Sequence, residues 1–197
     1  MFATEAGLYL KERILRPRIG LLWLFLLACT VPVAGVGWLW MIPTTVLFIL
    51  AFRLWDDLAD LDHDRAHHPG RVLVRSLDLR PFHAVHWGLL AATALALTGG
   101  ARTATFLALV ATMLANYRLT AGRPALRPLR VALVLAKYPA LVLLVAGQPG
   151  EPNALGAAAA AYLVPLADEV RDSGTAVLAP AALLSALALL AGWTLLN

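Results

Sequence analysis

The sequence predicts an all-α, multi-pass transmembrane bundle of about seven spans, from the lengths a helix needs to cross a bilayer. Three observations predict it. The chain is 60% apolar and only 14% charged. Its mean hydropathy is +0.75. Its charges fall in short breaks between long uncharged runs, the clearest of which are 20–44, 104–115, 131–147, 154–167 and 175–197. The chain reads as one transmembrane helical domain, 1–197, with an interfacial helix over 1–18 and membrane spans over 20–197.

The elements follow in order. In the interfacial helix, Phe2, Leu8, Tyr9 and Ile14 are expected on lipid while Lys11, Arg13 and Arg16 reach phosphates. The run after residue 19 is too long for a signal-peptide core and lacks a small-residue cleavage site, so it reads as a retained first span. Pro43 and Pro81 fit first turns of helices, where a missing N–H costs nothing. Pro139 and Pro165 fall within spans and are expected to kink them, as membrane helices tolerate when neighbours satisfy the freed carbonyls. The alanine-rich stretch 154–161 allows close helix packing. The single cysteine, Cys29, lies in an apolar run, so no disulfide framework is available.

A pI near 9.7 and a net charge of +4 do not point to nucleic acid here, because of where the bases fall. With a cytoplasmic N-terminus, one side gathers Lys11, Arg13, Arg16, Arg18, Arg65, Arg71, Arg75, Arg80, Arg118, Arg123, Arg127, Arg130 and Arg171, and the other only Arg102. That asymmetry orients the chain by the positive-inside rule. The bases face anionic head groups or an anionic substrate. The expected setting is a bacterial inner membrane.

The carboxylates carry the chemistry. Five of them crowd between Asp56 and Asp64, directly after the oily run 45–52. On a continuous helix Asp57, Asp60 and Asp64 stand at i, i+3 and i+7, on one face, and Asp56 and Asp60 form a further i, i+4 pair. Asp168 and Asp172 form a second i, i+4 pair on the same membrane side. Two facing carboxylate rows repel unless cations bridge them, and Mg²⁺ takes a few carboxylates and completes its shell with phosphate oxygens. The expected metal set is therefore Asp57, Asp60, Asp64, Asp168 and Asp172, suited to a diphosphate. Asp62 and Glu169 point off the shared faces and read as solvated.

The stretch Asp57-x-x-Asp60-x-x-x-Asp64, followed by Arg65 and His68-Pro-Gly-Arg71-Val-Leu, resembles the first aspartate-rich motif of the UbiA superfamily of intramembrane prenyltransferases. Asp168-x-x-x-Asp172 resembles the second. Leu15-Arg16-Pro17-Arg18 and Ala136-Lys137-Tyr138-Pro139 are similar to weaker features of that family. The resemblance runs from about residue 10 onward. Two departures stand out: the family usually has Asn at the place of Asp56, and its tyrosine–lysine feature is only partly present, as Tyr117 with Arg118 and Arg123.

The resemblance implies a UbiA-like fold and a Mg²⁺-dependent prenyltransferase. The five aspartates would act through Mg²⁺ on a prenyl diphosphate, assisting departure of diphosphate and leaving an allylic carbocation for an unidentified acceptor. It implies substrate contacts from Arg71, Lys137, Arg171 and Tyr117, with Arg suited to bidentate phosphate binding. Arg53, one turn before Asp57, reads as that carboxylate's partner rather than a substrate contact. The histidines His67, His68, His83 and His86 lack a cysteine and do not read as a metal site. Trp23, Trp38, Trp40, Trp87 and Trp193 fit an interfacial belt, and Trp55 a belt or core position. Family members commonly have more spans, so the seventh run, 175–197, is expected to meet lipid or a second copy in a homo-oligomer. The rival expectations are a non-catalytic relative that binds isoprenoid or lipid diphosphates, and a small transporter, which lacks the internal repeat of many carriers.

Overall fold

Proline sets where many of these helices begin and break. The computed structural model describes residues 2–34, 37–97 and 99–185. Among them the chain is helical without a β-strand; a lone antiparallel bridge pairs Ala34 with Ala146. Helix α1 is Phe2–Tyr9, continued by a π-helical turn over Leu10–Ile14. Pro17 then opens α2, Pro17–Thr30, with Pro at its first turn. Helix α3 is Trp38–Ala59 and α4 Leu61–His67. The short α5, Val72–Arg75, precedes α6, Arg80–Ala96, and α7, Gly100–Thr120. Helices α8, Arg127–Leu135, and α9, Lys137–Val145, follow, then α10, Pro152–Ser173.

Pro81 opens α6 as expected, whereas Pro43 lies inside α3 instead of at its first turn. Pro139 acts one turn upstream. Its ring clashes with the carbonyl four residues back, that of Leu135, and α8 ends at Leu135. Pro165 is accommodated within α10.

Among the described residues, two helical segments are long and apolar enough to cross a membrane, Leu39–Ala59 and Pro124–Val145; a third arises if Phe2–Ile14 and Pro17–Val33, bent by 69°, count as one span. About seven spans are expected from the length of the apolar runs. The difference has a compositional cause. Helix α10 is 22 residues long but mixes its alanines with Pro152, Asn153 and Pro165 and carries Asp168, Glu169, Arg171 and Asp172 in its last turns. Helix α7 is 21 residues long but carries several threonines together with Arg102 and Arg118. The seventh run is described only as far as Ser185, and residues 186–197, with Trp193, lie outside the described residues.

The core gathers Phe48 and Phe52 of α3, Phe106 and Met113 of α7, and Leu141 and Val142 of α9. Helix α3 packs on α6 and α2, and α10 on α9 and α2. Inside a bilayer such contacts hold helices by close packing, since lipid is as apolar as leucine. The N-terminal segment departs from its expected place on lipid. Phe2, Tyr9 and Ile14 pack against Leu54, Leu58, Leu61, Leu73 and Phe82, and only Leu8 of that set is exposed. Glu5 and Glu12 fasten it, accepting hydrogen bonds from the Ser76 hydroxyl at 3.0 Å and the Val72 amide at 3.1 Å.

The end-to-end run of the helices makes a topological prediction. At 1.5 Å per residue α10 is about 33 Å long, with Glu151 capping its start and Asp172 near its end. In α7, Arg102 lies near the start and Tyr117 near the end. With Cys29 removed, Arg127→Cys and Asp172→Cys should label from one membrane face, and Arg102→Cys and Glu151→Cys from the other. Labelling of 127 and 172 from opposite faces would exclude the arrangement.

Candidate functional site

The last turns of α3 and α10 meet across a cavity of about 1030 Å³. Helix α2 contributes Ile19, Leu22 and Phe25 to its wall, and α8 contributes Val131, Val134 and Leu135. Asp56 and Asp60 border it from one side and Asp168 and Asp172 from the other. These are the two i, i+4 pairs that the spacing identifies, facing one space, whereas the expected metal set has Asp57 and Asp64 and lacks Asp56.

Asp57 and Asp64 do not border the cavity, which corrects the expected set. The i, i+3, i+7 register assumes an unbroken helix. Helix α3 stops at Ala59, Asp60 adopts φ −96° and ψ 9°, and a new helix starts at Leu61. Asp64 is therefore carried off the face of Asp60. It is buried and paired with Arg71. Asp57 points towards the N-terminal segment, where the Tyr9 hydroxyl donates to Oδ2 at 2.9 Å, Arg13 Nε to the same oxygen at 3.0 Å and a second Arg13 nitrogen to Oδ1.

Every other carboxylate of the set is also claimed by a base. Asp56 accepts from the Tyr117 hydroxyl and from Lys137 Nζ. Asp60 accepts from Arg130. Asp168 takes Arg18 Nε at 3.0 Å and Arg171 at 2.6 Å, and Asp172 takes Arg18 at 2.8 Å. Among the described residues, no three acidic, histidine or cysteine side chains are grouped as a metal ion requires. The expected five-aspartate cluster is thus divided into separate ion pairs.

The expected substrate contacts Arg71, Lys137, Arg171 and Tyr117 all border the cavity. Arg13, Arg18 and Arg130, which sequence places only on a basic membrane face, prove to be the carboxylates' partners. The signal that points to them is the acidic pairs themselves, which need cations at short range. Among the described residues, bases bordering the cavity outnumber acids nine to six: Arg13, Arg16, Arg18, Arg53, Arg71, Arg127, Arg130, Lys137 and Arg171 against Glu12, Asp56, Asp60, Asp168, Glu169 and Asp172. A cavity with that balance and apolar walls suits an anionic head on an apolar tail. No family model, curated protein or solved structure matches this chain.

Two carboxylates outside the spans are perturbed in opposite senses. Burial lifts Asp60 above the usual carboxylate range, against the pull of Arg130. The Arg18 hydrogen bond holds the exposed Asp172 below that range. Arg18→Gln should therefore raise the Asp172 titration towards the ordinary carboxylate range, with Arg171 still beside it, read by ¹³C NMR of its carboxyl carbon. An unchanged titration would show that Arg18 does not hold α2 to α10 in solution.

The remaining aromatic and imidazole groups have packing roles. Trp55 is buried and stacks on Phe52 with centroids 5.8 Å apart, so it does not border the cavity. His86 is buried with Nδ1 3.2 Å from the Ala51 carbonyl, and the His63 and His67 rings stack at 4.1 Å.

Proposed function

We propose that the chain is a membrane-embedded, Mg²⁺-dependent prenyltransferase that moves an isoprenyl group from a prenyl diphosphate to an acceptor. One observation carries this reading: Asp56/Asp60 and Asp168/Asp172 face one cavity that is also basic in excess and apolar along α2 and α8. The donor set fits a hard cation in kind, since it is all carboxylate oxygen. Each pair is at present neutralised from within: guanidinium or ammonium groups stand where Mg²⁺ would, and carboxylates where phosphate would. Arrival of a diphosphate lets the two sets exchange partners without leaving a charge unpaired. Asp56, Asp60, Asp168 and Asp172 would hold Mg²⁺, which supplies neutralisation of the leaving diphosphate. Arg71, Lys137 and Arg171 supply cations to the phosphates, and Tyr117 holds Asp56 in place. Ile19, Leu22, Phe25 and Val134 give the prenyl chain a dry wall.

The same reading takes α6, α7 and the stretch 154–167 of α10 as further spans, giving about seven with the apolar run beyond residue 175. It puts both aspartate pairs on the cytoplasmic side of a bacterial inner membrane, by the excess of bases there. A second reading, a non-catalytic binder of isoprenoid or lipid diphosphates, is favoured by the ion-paired state of Asp56, Asp60, Asp168 and Asp172. One experiment separates the two. Purified protein is incubated with Mg²⁺, labelled prenyl diphosphates of several lengths and a cell extract, and any labelled product is identified. Transfer supports the enzyme, retention of unreacted diphosphate supports the binder, and absence of both rejects the shared diphosphate reading.

A further inference from the structure

The cavity holds one base whose charge its nearest carboxylate does not need. Asp57 has a single negative charge and two guanidinium neighbours. Arg13 engages both of its oxygens and Tyr9 adds a third donor. Arg53 stands 3.4 Å from Oδ1, beyond the usual N–H···O range. The pairing that the sequence suggests for Arg53 is thus made as an ion pair without a hydrogen bond, and Asp57 keeps Arg13 as a second cation.

Two more observations single this side chain out. Its Nε is buried and has no hydrogen-bond partner, a state that costs free energy unless a ligand relieves it. It also borders the cavity from within the span Leu39–Ala59, three residues deeper along α3 than Asp56. An ionised group at that depth is a functional site by default, and its partner has to be named. Lys137 and Arg130 are held by Asp56 and Asp60. Arg16 and Arg127 have no carboxylate partner among the described residues, but both are exposed, and Arg16 donates to the Glu12 carbonyl.

We propose that Arg53 is a direct contact for the phosphate end of the ligand, at the deep end of the cavity. This rests on the diphosphate reading above and adds a binding residue to it. The planar guanidinium fork matches two phosphate oxygens at once, and binding there gives the buried Nε its missing acceptor. Loss of Arg53 leaves Asp57 still neutralised by Arg13 and Tyr9, so the residue is dispensable for the fold.

The test uses the full chain in nanodiscs of phosphatidylcholine, with inorganic diphosphate as the probe, titrated calorimetrically with and without Mg²⁺. Arg53→Gln should weaken diphosphate binding by roughly tenfold or more, the scale of one lost charge-assisted contact, with the unfolding temperature unchanged or raised. Arg53→Lys should recover only part of the loss, because an ammonium cannot form the fork. Wild-type affinity in Arg53→Gln would overturn the assignment while leaving the diphosphate reading intact. No binding by the wild type would overturn that reading, and this assignment with it. If Arg53→Gln does not fold, Arg53→Lys, which keeps a charge beside Asp57, is compared alone, and wild-type affinity in it overturns the assignment.

Discussion

Lys137→Met is expected to destabilise the folded protein towards the lower end of the about 3–5 kcal/mol that follows from breaking one side of a buried ion pair. The Lys137 side chain is 2% exposed and that of Asp56 19%. Its ammonium donates to Asp56 and lies 5.7 Å from the centroid of the Phe52 ring and 5.3 Å from that of Tyr138. Methionine keeps the length and the contact with those rings but leaves Asp56 charged, with only the Tyr117 hydroxyl to hold it. The cost falls on the orphaned carboxylate, and the cavity beside Asp56 lets water reduce it. Lys137→Met with Asp56→Asn should therefore recover most of the loss, because both charges leave together. Unfolding by denaturant in mixed micelles measures all three variants. A double variant no more stable than Lys137→Met alone would mean that the ammonium acts through packing instead.

These two residues show what the sequence makes legible and where it stops. A lysine inside an apolar run must have a partner, so Lys137 reads as special from position alone, and Arg71, Arg171 and Tyr117 are likewise brought to the cavity. Asp168 and Asp172 face Asp60 across the cavity, and their i, i+4 spacing makes the pair legible in the sequence. Asp64 fails for a local reason: helical periodicity does not continue across Asp60, and the break there rotates everything beyond it. Asp57, ahead of the break, is claimed by Tyr9 and Arg13 of the N-terminal segment. The partners of the carboxylates fail for another reason. Arg13 meets Asp57 from 44 residues away and Arg18 meets Asp168 from 150. No spacing rule reaches that far; only the packing of α2 against α10 brings Arg18 there. The N-terminal segment has the composition of a lipid-facing helix, yet its apolar face finds Leu58 and Phe82 before lipid. Span number is the least legible feature, because an alanine-rich helix such as α10 is long enough to cross yet weakly apolar.

Asp60→Asn and Asp168→Asn are each expected to lower Mg²⁺-dependent binding of a prenyl diphosphate by about a hundredfold, near 3 kcal/mol. Asparagine keeps the size and one acceptor but removes the charge a hard cation requires. Both side chains border the cavity, one on each wall, so loss of either leaves a metal with half of its carboxylate cradle. Asp62→Asn is the control: its side chain is 96% exposed and paired only with Arg65, three residues on. It should bind as the wild type does. Asp57→Asn separates site from scaffold, since Asp57 is buried away from the cavity among Tyr9, Arg13 and Arg53. Its expected effect is lower stability with metal-dependent binding largely kept. The pH dependence follows from Asp60. Only the ionised carboxylate holds a cation, and burial raises its pKa. Protonation therefore sets in at higher pH than for an ordinary aspartate, and Mg²⁺-dependent affinity should fall as pH drops through that raised value. Asp60→Asn should show no such acid limb. Equal affinity in wild type and Asp60→Asn, with and without Mg²⁺, would end the assignment of these carboxylates to a metal and leave them as counter-ions to the bases around them.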